Sequence, residues 1–402
     1  MQCLSCGKNA LNVFLDLGMQ PLANKYPRAE EFLRERRVPL KAAFCSECEL
    51  VQLTSDCLVS REDLFQDYYY LSSVNQGLVQ HFVQLAKLIS AKKPRLVVDI
   101  GSNDGVLLKP LNKAGVRAVG IEPAANIAQE ANAKGLQTMN RFWDVKTALA
   151  VEEEHGKADV IVASNIFTHI LDPKEFLSAV DGLLSESGEL IVEVEYLPEI
   201  VESLGFERFY SDHTFYFTLS SLSKLVNRYG LTVYDAESIP THGGSLRAYI
   251  RRIGARKDTD RLRDRFSEES IKGYGHLQTY EKFSNDVRSA ANDLRSQLEE
   301  YVRREVRVAG YGAPARLSTI TNFADIGPNL VRYVVDDSPL KQGRFSPGMH
   351  IPILGKDTLR QQPVDLLVVF AWNYLDDIKA KLGALMPRPE LMIPIPPEKV
   401  SW

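Results

Sequence analysis

The chain has 402 residues, with 48 Lys plus Arg against 52 Asp plus Glu and a formal charge of −4. That balance leaves no cationic surplus to hold a phosphate backbone, so a nucleic-acid substrate is disfavoured. Hydrophobic residues at 45% and charged residues at 25% fit a globular chain of roughly two to three domains. No apolar run reaches the roughly 18 residues of a membrane span, and Met1-Gln2-Cys3-Leu4-Ser5-Cys6 lacks the make-up of a signal peptide, so a cytoplasmic location is expected.

Four of the five cysteines form two Cys-x-x-Cys pairs, Cys3/Cys6 and Cys45/Cys48, with 38 residues between the pairs. Each knuckle sets two thiolates on one side of a tight loop, and two knuckles complete a tetrahedral sulfur site for zinc. Two disulfides or a redox pair are the competing readings, against which a cytosolic setting argues. With four sulfur ligands no coordination position stays open, so the zinc is expected to be structural. Cys57 has no partner and reads as a small buried hydrophobe.

A buried strand, Leu96 to Ile100, runs into the turn Gly101-Ser-Asn-Asp-Gly105. The next strand, Ala118 to Ile121, ends at Glu122, 17 residues after Gly105, where an acid can accept both hydroxyl hydrogens of a ribose. Asp99, Gly101, Asn103, Gly105 and Glu122 are therefore assigned to a cofactor, together with Pro123, Phe142, Ser164 and Asn165. Ser164 and Asn165 close a third apolar strand from Ala158, and a fourth follows from Gly188 to Glu193 after a helix from Pro173 to Leu184. Strands alternating with helices predict a doubly wound, mostly parallel α/β sheet. The turn resembles motif I of class I S-adenosylmethionine methyltransferases, with Asn103 in place of the usual middle glycine. A dinucleotide-binding domain is the alternative with the same topology.

His169 lies just past the third strand, and Phe209-Tyr210-Ser211-Asp212-His213 precedes a predicted helix from Ser220. Loops at that edge of a sheet carry chemistry. His213 can take a proton near neutral pH, Asp212 or another carboxylate can hold it, and Tyr210 can donate to an oxyanion. Farther on, His242-Gly243-Gly244-Ser245-Leu246-Arg247 offers backbone amides and a guanidinium to an anion. A periodic charged helix from Leu277 to Tyr301 is expected to pack on its own lobe rather than form a coiled-coil dimer. Gly310, Gly312 and Ala315 then satisfy Gly-x-Gly-x-x-Ala, with Asp336 and Asp337 about 20 residues on, a nicotinamide-binding signature when taken alone.

In this order of parts the chain resembles the C-methyltransferases that act on nucleotide-linked 4-keto-deoxysugars. Their Tyr-His-Glu-His stretch reads Tyr210-Ser211-Asp212-His213 here, and their Asn-Val-Phe-Ala-His reads Asn165-Ile-Phe-Thr-His169. The resemblance implies His213 as the base that forms an enolate, with Tyr210, His169 and Asp212 as further catalytic residues. Asp67-Tyr-Tyr-Tyr70-Leu-Ser-Ser73 resembles the family's Tyr-x-Tyr-x-Ser-Ser segment, which implies Tyr70 at the cofactor and Tyr68 at the substrate. Glu193, Tyr196, Gly243, Gly244, Ser245, Arg247, Arg316 and Lys341 complete the assigned substrate set. Arg316 stands where the family's Gly-Tyr-Gly-Ala-Ala-Ala-Lys stretch has its Lys.

The expected architecture is α/β: a zinc module over 1–66, a class I methyltransferase Rossmann-like core over 67–240 and a second Rossmann-like lobe over 241–402. The expected function is methyl transfer from S-adenosylmethionine to the carbon beside a ketone of a nucleotide sugar, in a monomer or homodimer. An NAD-dependent oxidoreductase using the C-terminal turn is the alternative, and a scaffold without turnover is a third.

Overall fold

The structure is a computed structural model that describes residues 1–60, 71–255, 257–383 and 385–402. Tyr68 and Tyr70 lie outside the described residues.

The N-terminal sheet is antiparallel, with Leu11–Pro21, Arg37–Cys45 and Val51–Leu53 side by side. Its fourth strand, Phe215–Tyr216, comes from the middle of the chain and follows the Tyr210–His213 stretch directly. The stretch expected to carry catalysis is therefore joined by backbone hydrogen bonds to the cysteine-rich module. The helix Leu277–Arg303 covers this sheet, and the Tyr280 ring sits 5.2 Å from Phe14 and 5.1 Å from Phe44. Farther along, Leu294 and Leu298 share a core with Val308 and Leu366 of the C-terminal lobe. The helix packs on its own lobe, as expected, and on the N-terminal sheet as well: its apolar stripe is long enough to bind two units together, and each fully buried Leu or Phe contributes about 1.5–3 kcal/mol.

The central sheet has seven strands in the order Leu231–Ile239, Ser245–Arg252, Leu184–Glu195, Ala158–Ser164, Val97–Ile100, Ala118–Ile121 and Thr138–Met139. The last five are parallel, and Ser245–Arg252 runs against both of its neighbours. Their near-continuous apolar runs are those of strands covered on both faces. The chain first winds outward from Val97–Ile100 and then returns to pair on its other side. The switch point thus falls between Val97–Ile100 and Ala158–Ser164, where open α/β sheets bind ligands. Side-chain caps set the flanking helices: Asp172 accepts the Glu175 amide at 3.0 Å and Thr218 the Ser221 amide at 3.0 Å. The sheet also runs past the boundary expected at residue 240. Ser245–Arg252 is a strand of this core, and the following helix Asp260–Lys272 buries Leu262 in it.

The C-terminal lobe repeats the plan. Val308–Tyr311 is central in a six-stranded sheet, flanked by Val334–Val335 and Ile353–Leu354 on one side and Leu366–Val369, Glu390–Pro394 and Pro397–Val400 on the other. All but the last pairing are parallel, so a second switch point falls between Val308–Tyr311 and Leu366–Val369.

Candidate active site

The four cysteines of the paired motifs converge. Their Sγ atoms all lie within 4.8 Å of one another, with Cys3 to Cys48 at 3.7 Å and Cys6 to Cys45 at 3.6 Å. Tetrahedral zinc–thiolate bonds of about 2.3 Å place sulfurs roughly 3.8 Å apart, so the cradle fits zinc and is too open for disulfides. Gly7 at φ 71° and Glu49 at φ 60° turn the chain after each knuckle. Cys57 is fully buried and accepts the Lys41 amide at 3.2 Å, as a small core residue.

The loop after the first strand carries the module into the middle of the molecule. Asn24 Nδ2 donates to Asp212 Oδ2 at 3.0 Å, and the Tyr26 hydroxyl donates to the Ala313 carbonyl at 2.7 Å. Between module, core and C-terminal lobe lies a cavity of about 1640 Å³, onto which both switch points open. Pockets for one small ligand run to about 1,000 Å³, so this one has room for two.

The core side is built for a cofactor. Gly101 takes φ 70°, and a Cβ there would lie 2.2 Å from Ile166 Cδ1. Glu122 accepts the Asn103 amide at 3.0 Å and the Ala124 amide at 2.8 Å, which fixes its carboxylate at the strand tip. Asn103 Oδ1 in turn accepts the Ser72 amide at 2.9 Å. Burial, with Glu122 and Glu193 nearby, pushes the Asp99 carboxyl well above the usual range. Asp99, Asn103, Glu122 and Pro123 line the cavity, as do Phe142, Ser164 and Asn165. Ser102 lines it too, with its Oγ buried against Gly120 and without a hydrogen-bond partner among the described residues. An acid for a ribose, an aromatic ring for a base and a glycine turn without a phosphate cradle fit an adenosyl group. Gly105, at φ 81°, shapes the turn but does not reach the cavity.

Across from that wall stand the residues expected to do chemistry. The Tyr210 hydroxyl lies 2.8 Å from His213 Nε2, and the His169 and His213 rings are 4.8 Å apart. Burial first, then the positive fields of His169, His242, Arg316 and Arg208, push His213 well below the ordinary histidine value. The imidazole is therefore neutral at pH 7 and has a lone pair to offer. Burial likewise raises Tyr210 well above the usual phenol range. His169 Nδ1 is 2.6 Å from the Asp212 carbonyl oxygen. A carbonyl can only accept, so Nδ1 carries the proton and Nε2 is the acceptor in the neutral ring. The Asp212 carboxylate turns away, toward Asn24 and the Ser211 hydroxyl. Of the carboxylates that could hold His213, Glu195 rather than Asp212 faces the ring, with Oε2 at 3.8 Å from His213 Nδ1.

Arg316 and Lys341 line the cavity on the C-terminal side. Six other assigned substrate residues do not. Arg247 Nε is 2.6 Å from Glu193 Oε1, and Glu193 is also held by His81 at 2.9 Å and by the Ser164 hydroxyl at 2.9 Å. Both residues are buried inside the sheet as an ion pair. Tyr196 donates to Glu269 at 2.7 Å, and Ser245 to the Thr241 carbonyl at 3.0 Å. Gly243 and Gly244 serve close packing, since a Cβ would lie 2.4 Å from Arg208 Nη2 and 2.7 Å from Glu199 Cγ.

Sequence reasoning missed Glu195, His242 and Arg208. His242 lines the cavity with Nε2 at 3.2 Å from Asn165 Nδ2. Arg208 donates to the Gly243 carbonyl at 2.8 Å, while its Nε and Nη1 are buried with no hydrogen-bond partner among the described residues. No local motif marks Glu195 or Arg208, and the stretch that begins at His242 reads as an anion site, so the distance in chain between residues 195, 208, 242 and 316 hides their meeting.

The glycine turn of the C-terminal lobe is also part of the cavity wall. Asp336 Oδ2 accepts the Ala313 amide at 2.7 Å, and Pro314 begins the helix Ala315–Phe323 with no N–H to give. Two of the amides a pyrophosphate would use near that helix start, at residues 313 and 314, are thus spent or missing, which weakens the support for a nicotinamide site.

A class I sheet with its reversed strand, an acid at the tip of the second strand and a methyl-acceptor cavity define a methyltransferase carrying a four-cysteine zinc site. Family models match in the same order: a zinc binding domain over residues 3–65, a methyltransferase domain over 50–236 and a C-methyltransferase C-terminal domain over 240–396. The chain is 31% identical to C-methyltransferase NovU of Streptomyces niveus over 387 residues, covering 94% of this chain and 91% of that protein. It is 29% identical to a ubiquinone biosynthesis O-methyltransferase of Azorhizobium caulinodans over 126 residues, 30% of this chain and 49% of that one. The chain belongs to the C-methyltransferase family, and it is an S-adenosylmethionine-dependent enzyme. Among the described residues, no helix is long and apolar enough to cross a membrane.

Proposed function

We propose that the enzyme methylates the carbon beside the ketone of a nucleotide-linked keto-deoxysugar, by way of an enolate. The observation that carries this reading is the neutral, buried His213 with Tyr210 at 2.8 Å, set in a cavity large enough for cofactor and acceptor together. The proton on a carbon next to a ketone is acidic because the electron pair left behind delocalises onto oxygen. His213 Nε2 takes that proton. Tyr210, released from Nε2 as the substrate carbon arrives, donates its hydroxyl to the oxygen where charge develops. His169, an acceptor at Nε2, orients a sugar hydroxyl rather than the enolate oxygen. When bound, S-adenosylmethionine supplies an electrophilic methyl group on sulfur. Closeness and alignment of that methyl with the enolate carbon are what the cavity walls provide. The nucleotide's phosphates need cations, and Arg316, Lys341 and Arg344 line the C-terminal side. They take over the role that Arg247 cannot fill.

The test is methylation of a panel of keto nucleotide sugars, with product structure by NMR. A new carbon–methyl bond beside the former ketone is expected. Methyl transfer to oxygen, or no transfer to any keto sugar, would overturn the reading.

A further inference from the structure

The strand Leu184–Glu195 carries three acids on one face: Glu189, Glu193 and Glu195. Residues two apart on a strand point the same way, so the three form a row that ends at the cavity. The first two have partners in direct contact. Glu189 meets Lys92 and the Tyr234 hydroxyl, and Glu193 meets Arg247 and His81. Glu195 differs. It is buried, it lines the cavity, and its nearest basic groups stand off at 3.8 Å, Arg316 from Oε1 and His213 Nδ1 from Oε2. Neither Glu195 Oε2 nor His213 Nδ1 has a hydrogen-bond partner among the described residues.

We infer that Glu195 is the positioning residue for His213: its Oε2 accepts the Nδ1 proton and so fixes the imidazole with the Nε2 lone pair toward Tyr210 and the substrate. This rests on the reading of His213 as the base. The geometry allows few other choices. Asp212, next in sequence, is turned to Asn24, and Arg316 occupies the far oxygen of Glu195, leaving Oε2 for the ring. A shift of about 1 Å closes 3.8 Å to a hydrogen bond. Once His213 gains a proton, Arg316 and Arg208 oppose the positive ring, and burial keeps His169 and His242 neutral, with no charge to offset it. Tyr210 and Tyr216 are neutral, and Asp212 presents only its carbonyl to His169. Glu195 is thus the carboxylate placed to steady the imidazolium during turnover.

The full-length, zinc-loaded protein labelled with [15N]histidine tests this without any substrate. His213 is assigned in two-bond proton–nitrogen spectra by its loss in His213→Asn. The parent protein is expected to show the Nδ1–H tautomer, and Glu195→Leu to shift His213 toward Nε2–H, whereas Glu195→Gln, which still offers an oxygen, keeps Nδ1–H. On the sugar accepted in the methylation panel, kcat of Glu195→Leu is expected to fall on the order of 10²-fold, with S-adenosylmethionine affinity unchanged and partial recovery in Glu195→Asp. An unchanged His213 tautomer in Glu195→Leu overturns the proposal, as does a loss confined to KM, which would make Glu195 a substrate anchor. If the tautomer responds but His213→Asn turns over normally, the base reading fails while the Glu195–His213 coupling stands.

Discussion

The Arg247 guanidinium lies 2.6 Å from the Glu193 carboxylate, in register across adjacent antiparallel strands and buried on both sides. A pair of this kind is costly to break, because the survivor keeps its charge away from water. Arg247→Ala is expected to lose on the order of 3–5 kcal/mol of stability in urea unfolding. Arg316→Ala, on the cavity wall and 3.8 Å from its carboxylates, is expected to cost less stability than this and to raise KM for the acceptor. The reverse pattern would return Arg247 to the substrate site.

That contrast shows where the sequence was legible. Cys3, Cys6, Cys45 and Cys48 were readable because ligand spacing within a knuckle is a local property, and the pairing of two knuckles is nearly forced. The place of Gly101 and Glu122 on the cavity wall was readable for a similar reason: a strand, a turn and the next strand tip lie within one βαβ unit. His242 to Arg247 misled, because adjacent glycines look alike whether they admit a phosphate or a neighbouring side chain. Only the tertiary positions of Arg208 and Glu199 distinguish the two. Glu195 was invisible because its meaning comes from a histidine that reaches it through the fold.

The thiolate cradle predicts one zinc per chain by elemental analysis, and Cys48→Ser is expected to lose it. The module's own core is small and shares Phe14 and Phe44 with the long helix, so its loss propagates. Destabilisation on the order of 4 kcal/mol or more is expected, read as a lower unfolding temperature. Because Asn24 and Tyr26 tie the module to Asp212 and Ala313, methyl transfer should fall along with it even below the unfolding temperature.

Glu122→Ala removes the acid from the strand tip and leaves the amides of Asn103 and Ala124 without their acceptor. Charge-assisted hydrogen bonds are worth about 1.5–3 kcal/mol, so the dissociation constant for S-adenosylmethionine is expected to rise at least about tenfold in calorimetry. Asp336→Ala, the counterpart in the C-terminal lobe, is expected to leave that constant unchanged. Equal losses in the two variants would mean that the adenosyl group is not confined to the core wall.

The pH dependence of methyl transfer follows from the sign of the shift on His213. Its folded value lies well below the ordinary histidine value of about 6.5, with burial as the leading cause. A base with a depressed value stays neutral as the pH drops through 6.5 and loses its lone pair only when the pH falls through the depressed value itself. The acid limb of kcat is therefore expected to lie below pH 6.5, with a flat profile between about 6.5 and 8. Tyr210→Phe removes the hydroxyl 2.8 Å from Nε2 but leaves the ring buried, so the limb should stay below 6.5 while kcat falls on the order of 10²-fold. His213→Asn is expected to remove the limb together with most of the activity, with S-adenosylmethionine affinity retained. An acid limb at or above pH 7 in the parent enzyme would mean that the group lost on protonation is not the buried His213.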